Sequence, residues 1–168
     1  MKVLLVTSAL GLFLAACAPA SAPDTKPAPS KQSSQMNPSV DGLVKVKSVH
    51  SVRETMNRLE DRVRAKGLTV FDRIDHRANA FSAGLDMKEA QVLIFGNPKI
   101  GTPLMKQAPT MAIDLPIRVL VYQDGQGQVW LAYNDPSWLG HRHGVSESTP
   151  LQKMSGALAA LSAKATAP

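Results

Sequence analysis

Residues 43–67, LVKVKSVHSVRETMNRLEDRVRAKG, decide the fold. The first seven residues alternate apolar and basic side chains, which is typical of a strand with one buried face. A capping box follows, because the Ser51 oxygen can accept from the amide three residues on and Glu54 can reach back. Gly67 then ends the stretch, and glycine is common at the position just after the end of a helix. Between these signals, one apolar helical face is formed by Val52, Met56, Leu59 and Val63.

Four further strands and one more long helix are predicted downstream. Apolar and β-branched runs favour strands at 68–74, 89–95, 115–122 and 128–133, and residues 124–127, DGQG, favour a hairpin turn between the last two. Thr149 as N-cap with Pro150 behind it predicts a final helix. Segment 101–111 is predicted as a loop with one or two helical turns, and 134–145 as irregular. The stripe of the final helix comprises Leu151, Met154, Leu158 and Leu161.

These elements give the order β-α-β-β-β-β-α, which predicts a single α+β domain over residues 42–165. An antiparallel sheet with the two main helices on one face would bury both apolar stripes. About 125 residues suffice for one modest core and leave no room for a second domain. The only cysteine of the 168 residues is Cys17, so no internal disulfide is expected.

The N-terminus is typical of an exported bacterial protein. Lys2 precedes a twelve-residue apolar stretch, 3–14, which is too short to span a bilayer and is typical of a signal peptide. The stretch ends in LAAC, residues 14–17, which resembles the lipobox of bacterial lipoproteins. We therefore expect cleavage after residue 16 and lipidation of Cys17, which would anchor the chain to a membrane. An ordinary leader cut after Ala18, Ala20 or Ala22 is the alternative.

Residues 17–41 are predicted to be a disordered tether. They are rich in proline, serine and alanine and contain no aromatic residue, so they offer nothing to bury. Ala18 after the cysteine, rather than the aspartate that retains some lipoproteins in the inner membrane, favours the outer membrane facing the periplasm. The net charge of +6 permits a polyanionic partner. Nucleic acid is not expected, because an exported, lipid-anchored domain rarely meets it and the strand faces show no aromatic stacking pattern.

Three motifs lie at the ends of predicted strands: IDH at 74–76, FGNPKIGTPLM at 95–105 and AIDLP at 112–116. Together they resemble domain-of-unknown-function family 302, with similarity from about residue 46 to 145. The resemblance implies a small α+β fold of TATA-binding-protein-like architecture. It also makes a second copy of the chain a candidate partner. It implies no established reaction, ligand or cofactor, so these stay unknown.

The motifs supply the candidate ligand-binding residues. His76 could act as a base or could simply cap the next segment. Asn97, Thr102 and Met105 could line a pocket or form a tightly packed turn. Asp114, in an apolar context, could be an acid or base, or an acceptor that fixes its loop. We expect all five residues to converge if they form one site.

A metal site is a further hypothesis. His141 and His143 are spaced so that both imidazoles would share one face of a strand. Asp135 and Glu147 are candidates for a third ligand. The alternative is a solvent-exposed basic loop, in which Trp138 could contact a partner or a lipid interface.

Three functions remain open. The first is a membrane-anchored periplasmic module that binds a small ligand or an envelope protein. The second is an enzyme that uses His76 and Asp114 for acid–base chemistry on a small anionic substrate. The third is a structural or assembly protein of the envelope, which predicts a large apolar surface patch and no pocket. No nucleophile or cofactor motif names a reaction.

Overall fold

The computed structural model describes residues 42–145 and 148–168. The leader, Cys17, the tether and Glu147 lie outside the described residues, so the expectations about them rest on sequence. Within the described ranges, no helix is long and apolar enough to cross a bilayer.

Five strands and five helices form the described domain. The strands are β1 (Leu43–Ser48), β2 (Thr69–Asp75), β3 (Ala90–Gly96), β4 (Ile117–Gln123) and β5 (Val129–Asn134). The helices are α1 (Val52–Ala65), α2 (His76–Ser82), α3 (Pro98–Gln107), α4 (Pro136–Arg142) and α5 (Thr149–Thr166), with a short 3₁₀ segment at Pro109–Ile113. The predicted order of strands and main helices is confirmed, and α2, α3 and α4 are added to it.

The strands form one antiparallel sheet in the order β1-β5-β4-β3-β2. β1 and β5 pair along their whole length, from Leu43 opposite Asn134 to Ser48 opposite Val129. β1 and β2, which flank α1 in sequence, therefore lie at the two edges. Helix α1 crosses the sheet between them.

Helices α1 and α5 pack against each other and against the sheet, as predicted from their stripes. Ser51 caps α1 by accepting from the Glu54 amide at 3.2 Å. The second half of the predicted capping box is not formed. The Glu54 carboxylate does not reach back to the Ser51 amide but lies 3.0 Å from Nδ1 of His50. The buried core joins the α1 stripe to the sheet and α5 through Leu93, Val119, Val121, Leu131, Leu158 and Leu161.

The β4–β5 connection is the predicted hairpin turn. The Asp124 carboxylate accepts from the amides of Gln126 and Gln128 and, at 2.7 Å, from Nε1–H of Trp130. The Trp130 hydrogen bond, aided by the two amides, holds the pKa of Asp124 below its usual value. The turn is thus fixed by a carboxylate that works as an acceptor.

Two predicted boundaries are wrong. Segment 134–145 is not irregular: the Asp135 side chain accepts from the amides of Ser137 and Trp138 and starts helix α4 at Pro136. Helix α5 has Ser148, not Thr149, as its N-cap, and no side chain caps it. In both places a proline near the N-terminus of the helix marks the start to within one residue.

Candidate functional site

A cleft of about 240 Å³ opens between α3, α5 and the ends of β3 and β4 that face them. Its walls are almost wholly apolar. Of the residues that the structure describes, only Asn97, Thr102 and Lys153 bring side-chain polar groups to it. The apolar lining includes Phe71, Phe95, Ile100, Met105, Leu115, Pro116, Ile117, Met154, Ala157, Leu158 and Leu161.

Asn97 links the cleft to the start of α3. Its Oδ1 accepts from the Lys99 amide at 2.9 Å, and its backbone oxygen accepts from the amides of Ile100 and Gly101. The side-chain oxygen is therefore committed to capping the helix. The Nδ2 group has no hydrogen-bond partner among the residues that the structure describes. Asn97 thus presents a free Nδ2 donor beside an oxygen that is already engaged at the start of the helix.

Gly101 provides room in the cleft wall. A Cβ there would meet Leu115 at 3.7 Å and Met105 at 3.9 Å, which are ordinary contacts. The position tolerates a side chain, and a longer one would extend into the space that the cleft now leaves open.

Helix α3 is held to the core at few points. Leu104 is its one fully buried residue, at 1% exposure, and Met105 is partly buried. The 3₁₀ segment that follows is anchored by Met111, which is fully buried. The α3 wall of the cleft is therefore anchored mainly by the side chains of Leu104 and Met111.

Asp114 faces away from the cleft, into what we call the His143 cluster: Thr110, Asp114, Arg142 and His143. Oδ2 of Asp114 lies 2.6 Å from Nε2 of His143 and 3.1 Å from Nη1 of Arg142. Nδ1 of His143 lies 2.9 Å from the Thr110 hydroxyl. The side chains of His143 and Asp114 are only 6% and 11% exposed. The cluster joins the end of α4 to the 3₁₀ segment, which is the loop-fixing role considered for Asp114.

His76 is placed elsewhere. It is the first residue of α2 and is exposed. Asp75 at the end of β2 pairs with Gln91, whereas Thr69 at its start pairs with Gly96 beside Asn97. Seven strand residues separate these ends by roughly 20 Å. The expected convergence is therefore wrong for His76.

The structure brings together Asn97, Thr102 and Met105 in one cleft and leaves out His76 and the Asp114 carboxylate. The proposed acid–base pair of His76 and Asp114 is also separated. Asp114 precedes β4, which begins opposite Phe95, at the end of the sheet far from His76. His76 and Asp114 are thus not arranged to act together on one small substrate.

The strand geometry behind the metal hypothesis is wrong. His141 lies in α4 and His143 is its C-cap, and residues two apart on a helix do not face each other. Asp135 is used as the N-cap of α4. Across residues 42–145 and 148–168, no three His, Cys, Asp or Glu side chains are grouped closely enough to hold a metal ion.

Sequence reasoning missed the contribution of α5 to the cleft. Five α5 residues line it, and Met154, Leu158 and Leu161 belonged to the predicted stripe, whereas Lys153 and Ala157 did not. The signal was the width of that stripe, since Ala157 extends it toward a second face. Which element covers that face depends on tertiary packing.

The family model described as domain of unknown function DUF302 matches residues 44–161. The chain belongs to this family. A crystal structure of an uncharacterized conserved DUF302 protein from Bacillus stearothermophilus superposes with a TM-score of 0.65 at 20% identity, covering 74% of this chain and 98% of that one. This likeness supports the α+β DUF302 fold.

Curated relatives of this DUF302 chain are named fluoride-specific ion channels. FluC 1 of Brucella suis biovar 1 (strain 1330) and FluC 1 of Brucella abortus biovar 1 (strain 9-941) are each 47% identical over 115 residues, or 67% of this chain. The matches cover 45% and 43% of those proteins. The chain thus spans less than half the length of the curated relatives it matches.

Proposed function

We propose that this chain is a lipid-anchored binding protein of the bacterial envelope, and that its DUF302 domain takes a small, mainly apolar ligand in the cleft. One observation carries the proposal: the motifs at 95–105 and 112–116, by which the chain resembles its family, supply most of the cleft wall outside α5. Small-molecule sites are typically concave and apolar, with a few placed polar groups. The assembly alternative predicts no such pocket.

The size of the cleft limits the ligand. An apolar cavity of about 150 Å³ can hold benzene. A cleft of about 240 Å³ therefore suits a ligand with on the order of ten non-hydrogen atoms. Medium-length alkyl chains and single aromatic groups fall in this class.

The sequence of the leader supports the location. The apolar stretch 3–14 followed by LAAC would place a lipid on Cys17. A flexible tether of the length of residues 18–41 has a root-mean-square span of roughly 25–30 Å. The domain would then work close to the membrane surface.

We expect Gly101→Leu to weaken binding of 1-octanol more than about tenfold, because the new side chain would occupy the cleft. Each ligand methylene that can no longer be buried costs about 0.8 kcal/mol, so the loss of a few of them accounts for a tenfold change. Isothermal titration calorimetry on the domain measures this. Gly156→Leu is the matched control, since that glycine lies on α5 outside the lining and a Cβ there meets nothing within 4 Å. Equal binding by Gly101→Leu and the unchanged protein would refute the cleft as the site.

A second candidate function follows from the relatives. An ion channel needs membrane-spanning segments, and the described residues of this chain contain no helix able to span. The part of the relatives that resembles this chain would then be an accessory domain joined to a channel. A lipid-anchored domain of this kind would serve a membrane fluoride-transport protein as its partner.

Growth in fluoride tests this second function. Cells that lack the chain should show a changed fluoride concentration for half-maximal growth, and the intact protein should restore the original value. Cys17→Ser should fail to restore it and should leave the membrane fraction, because a partner of a membrane protein must be held beside it. An unchanged fluoride response in the deletion strain would exclude this function.

A further inference from the structure

Lys153 is the one charged side chain among the described residues that lines the cleft. It makes no ion pair or hydrogen bond with any residue in the described ranges. Among residues 42–145 and 148–168, no acidic side chain lines the cleft to neutralise it, and Asp114 is paired with His143 and Arg142 instead. The cleft therefore combines apolar walls with an uncompensated positive charge, which favours an anion.

The other two polar groups of the cleft add donors. Asn97 contributes its Nδ2 group, which has no partner in the described ranges, while Oδ1 already accepts from the Lys99 amide. The Thr102 hydroxyl makes no hydrogen bond with any residue of 42–145 or 148–168 and can donate as well as accept. An ammonium, an amide NH₂ and a hydroxyl together match an acceptor with several oxygens, and hydrogen bonds to a charged oxygen are the stronger kind.

We propose that the ligand is a monoanionic amphiphile, a medium-chain carboxylate, whose tail fills the cleft and whose carboxylate binds Lys153. The inference rests on the proposed ligand-binding function and deepens it. The lysine is suited to this position because its alkyl stem can pack along the apolar mouth while the ammonium stays near water. A single cation is matched by a single negative charge.

The test compares octanoate with 1-octanol, which share a chain length and differ in charge. The unchanged domain should bind octanoate roughly three- to tenfold more tightly, as expected for an ion pair with an exposed lysine that charge-assisted hydrogen bonds strengthen. Lys153→Met should remove this preference and leave the affinity for 1-octanol unchanged. Lys164→Met, a change of the same charge on α5 outside the lining, should alter neither affinity.

The outcomes separate the two proposals. Equal binding of octanoate and 1-octanol by the unchanged domain would overturn the anionic ligand while the cleft remains a binding site. Binding of neither compound would overturn both. Retention of the octanoate preference in Lys153→Met would also overturn the role of this lysine. Added salt should weaken octanoate binding alone, because it screens the ion pair.

Discussion

Leu104→Ala should lower the free energy of unfolding by about 2–5 kcal/mol, the cost of removing a large apolar side chain from a packed core. Leu104 is 1% exposed and is the one fully buried residue of α3. Its loss should also loosen the α3 wall, so binding of 1-octanol should fall together with stability. Urea denaturation and calorimetry on the same variant measure the two effects.

Leu104→Met provides the control for this prediction. It conserves volume, and such exchanges usually cost less than about 1.5 kcal/mol. A Leu104→Ala variant with nearly unchanged stability would mean that α3 is not held by this contact. The α3 wall of the cleft would then be held by Met111 and by α3 residues other than Leu104.

Asp114→Ala should lower the free energy of unfolding by about 1–3 kcal/mol, because the nearly buried His143 would lose a hydrogen-bond partner. The Oδ2–Nε2 distance is 2.6 Å and the pair joins α4 to the 3₁₀ segment. Asp114→Asn should cost less, since its side-chain oxygen can still accept from the ring N–H. Denaturation at one fixed pH compares the three proteins.

A double-mutant cycle identifies the source of that loss. Residues that share a network couple by about 0.5–3 kcal/mol. The cost of Asp114→Ala and His143→Ala combined should therefore be smaller than the sum of the single costs. Strict additivity would show that each residue stabilises the domain through other contacts, and the His143 cluster would not join the two elements energetically.

The fold was largely predictable because its signals are local. The Ser51 cap and the 3.6-residue period define α1, and Asp124 to Gly127 define the hairpin. Helix α3 was underestimated because Gly101 and Pro103, both weak helix formers, lie inside it. Helix α4 was missed although Asp135 and Pro136 form the same kind of start signal that was used for α5. The polar composition of 134–145 favoured an irregular segment in spite of that signal.

The site was predictable only in part, because it depends on which strand ends meet. Asn97, Thr102 and Met105 lie in one motif, the first as the N-cap of α3 and the other two within it, so their proximity follows from the local structure. His76 lies at a strand end as well, but the antiparallel pairing of β2 with β3 sends it to the other end of the sheet. Asp114 found its partner in His143, 29 positions away in sequence, which no local pattern indicates.

The sheet order has a consequence for how the chain is made. β1 is the first strand to leave the ribosome, yet its hydrogen-bonding partner β5 is the last. Leu43 therefore cannot pair until Asn134 has been synthesised. At 5–20 residues per second, the interval is roughly 5–20 s, during which this edge has nothing to pair with. The export that we propose for this chain would require it to stay unfolded until it crosses the membrane, if it uses a route for unfolded chains. A topology that delays its own closure lengthens the time in which translocation can begin.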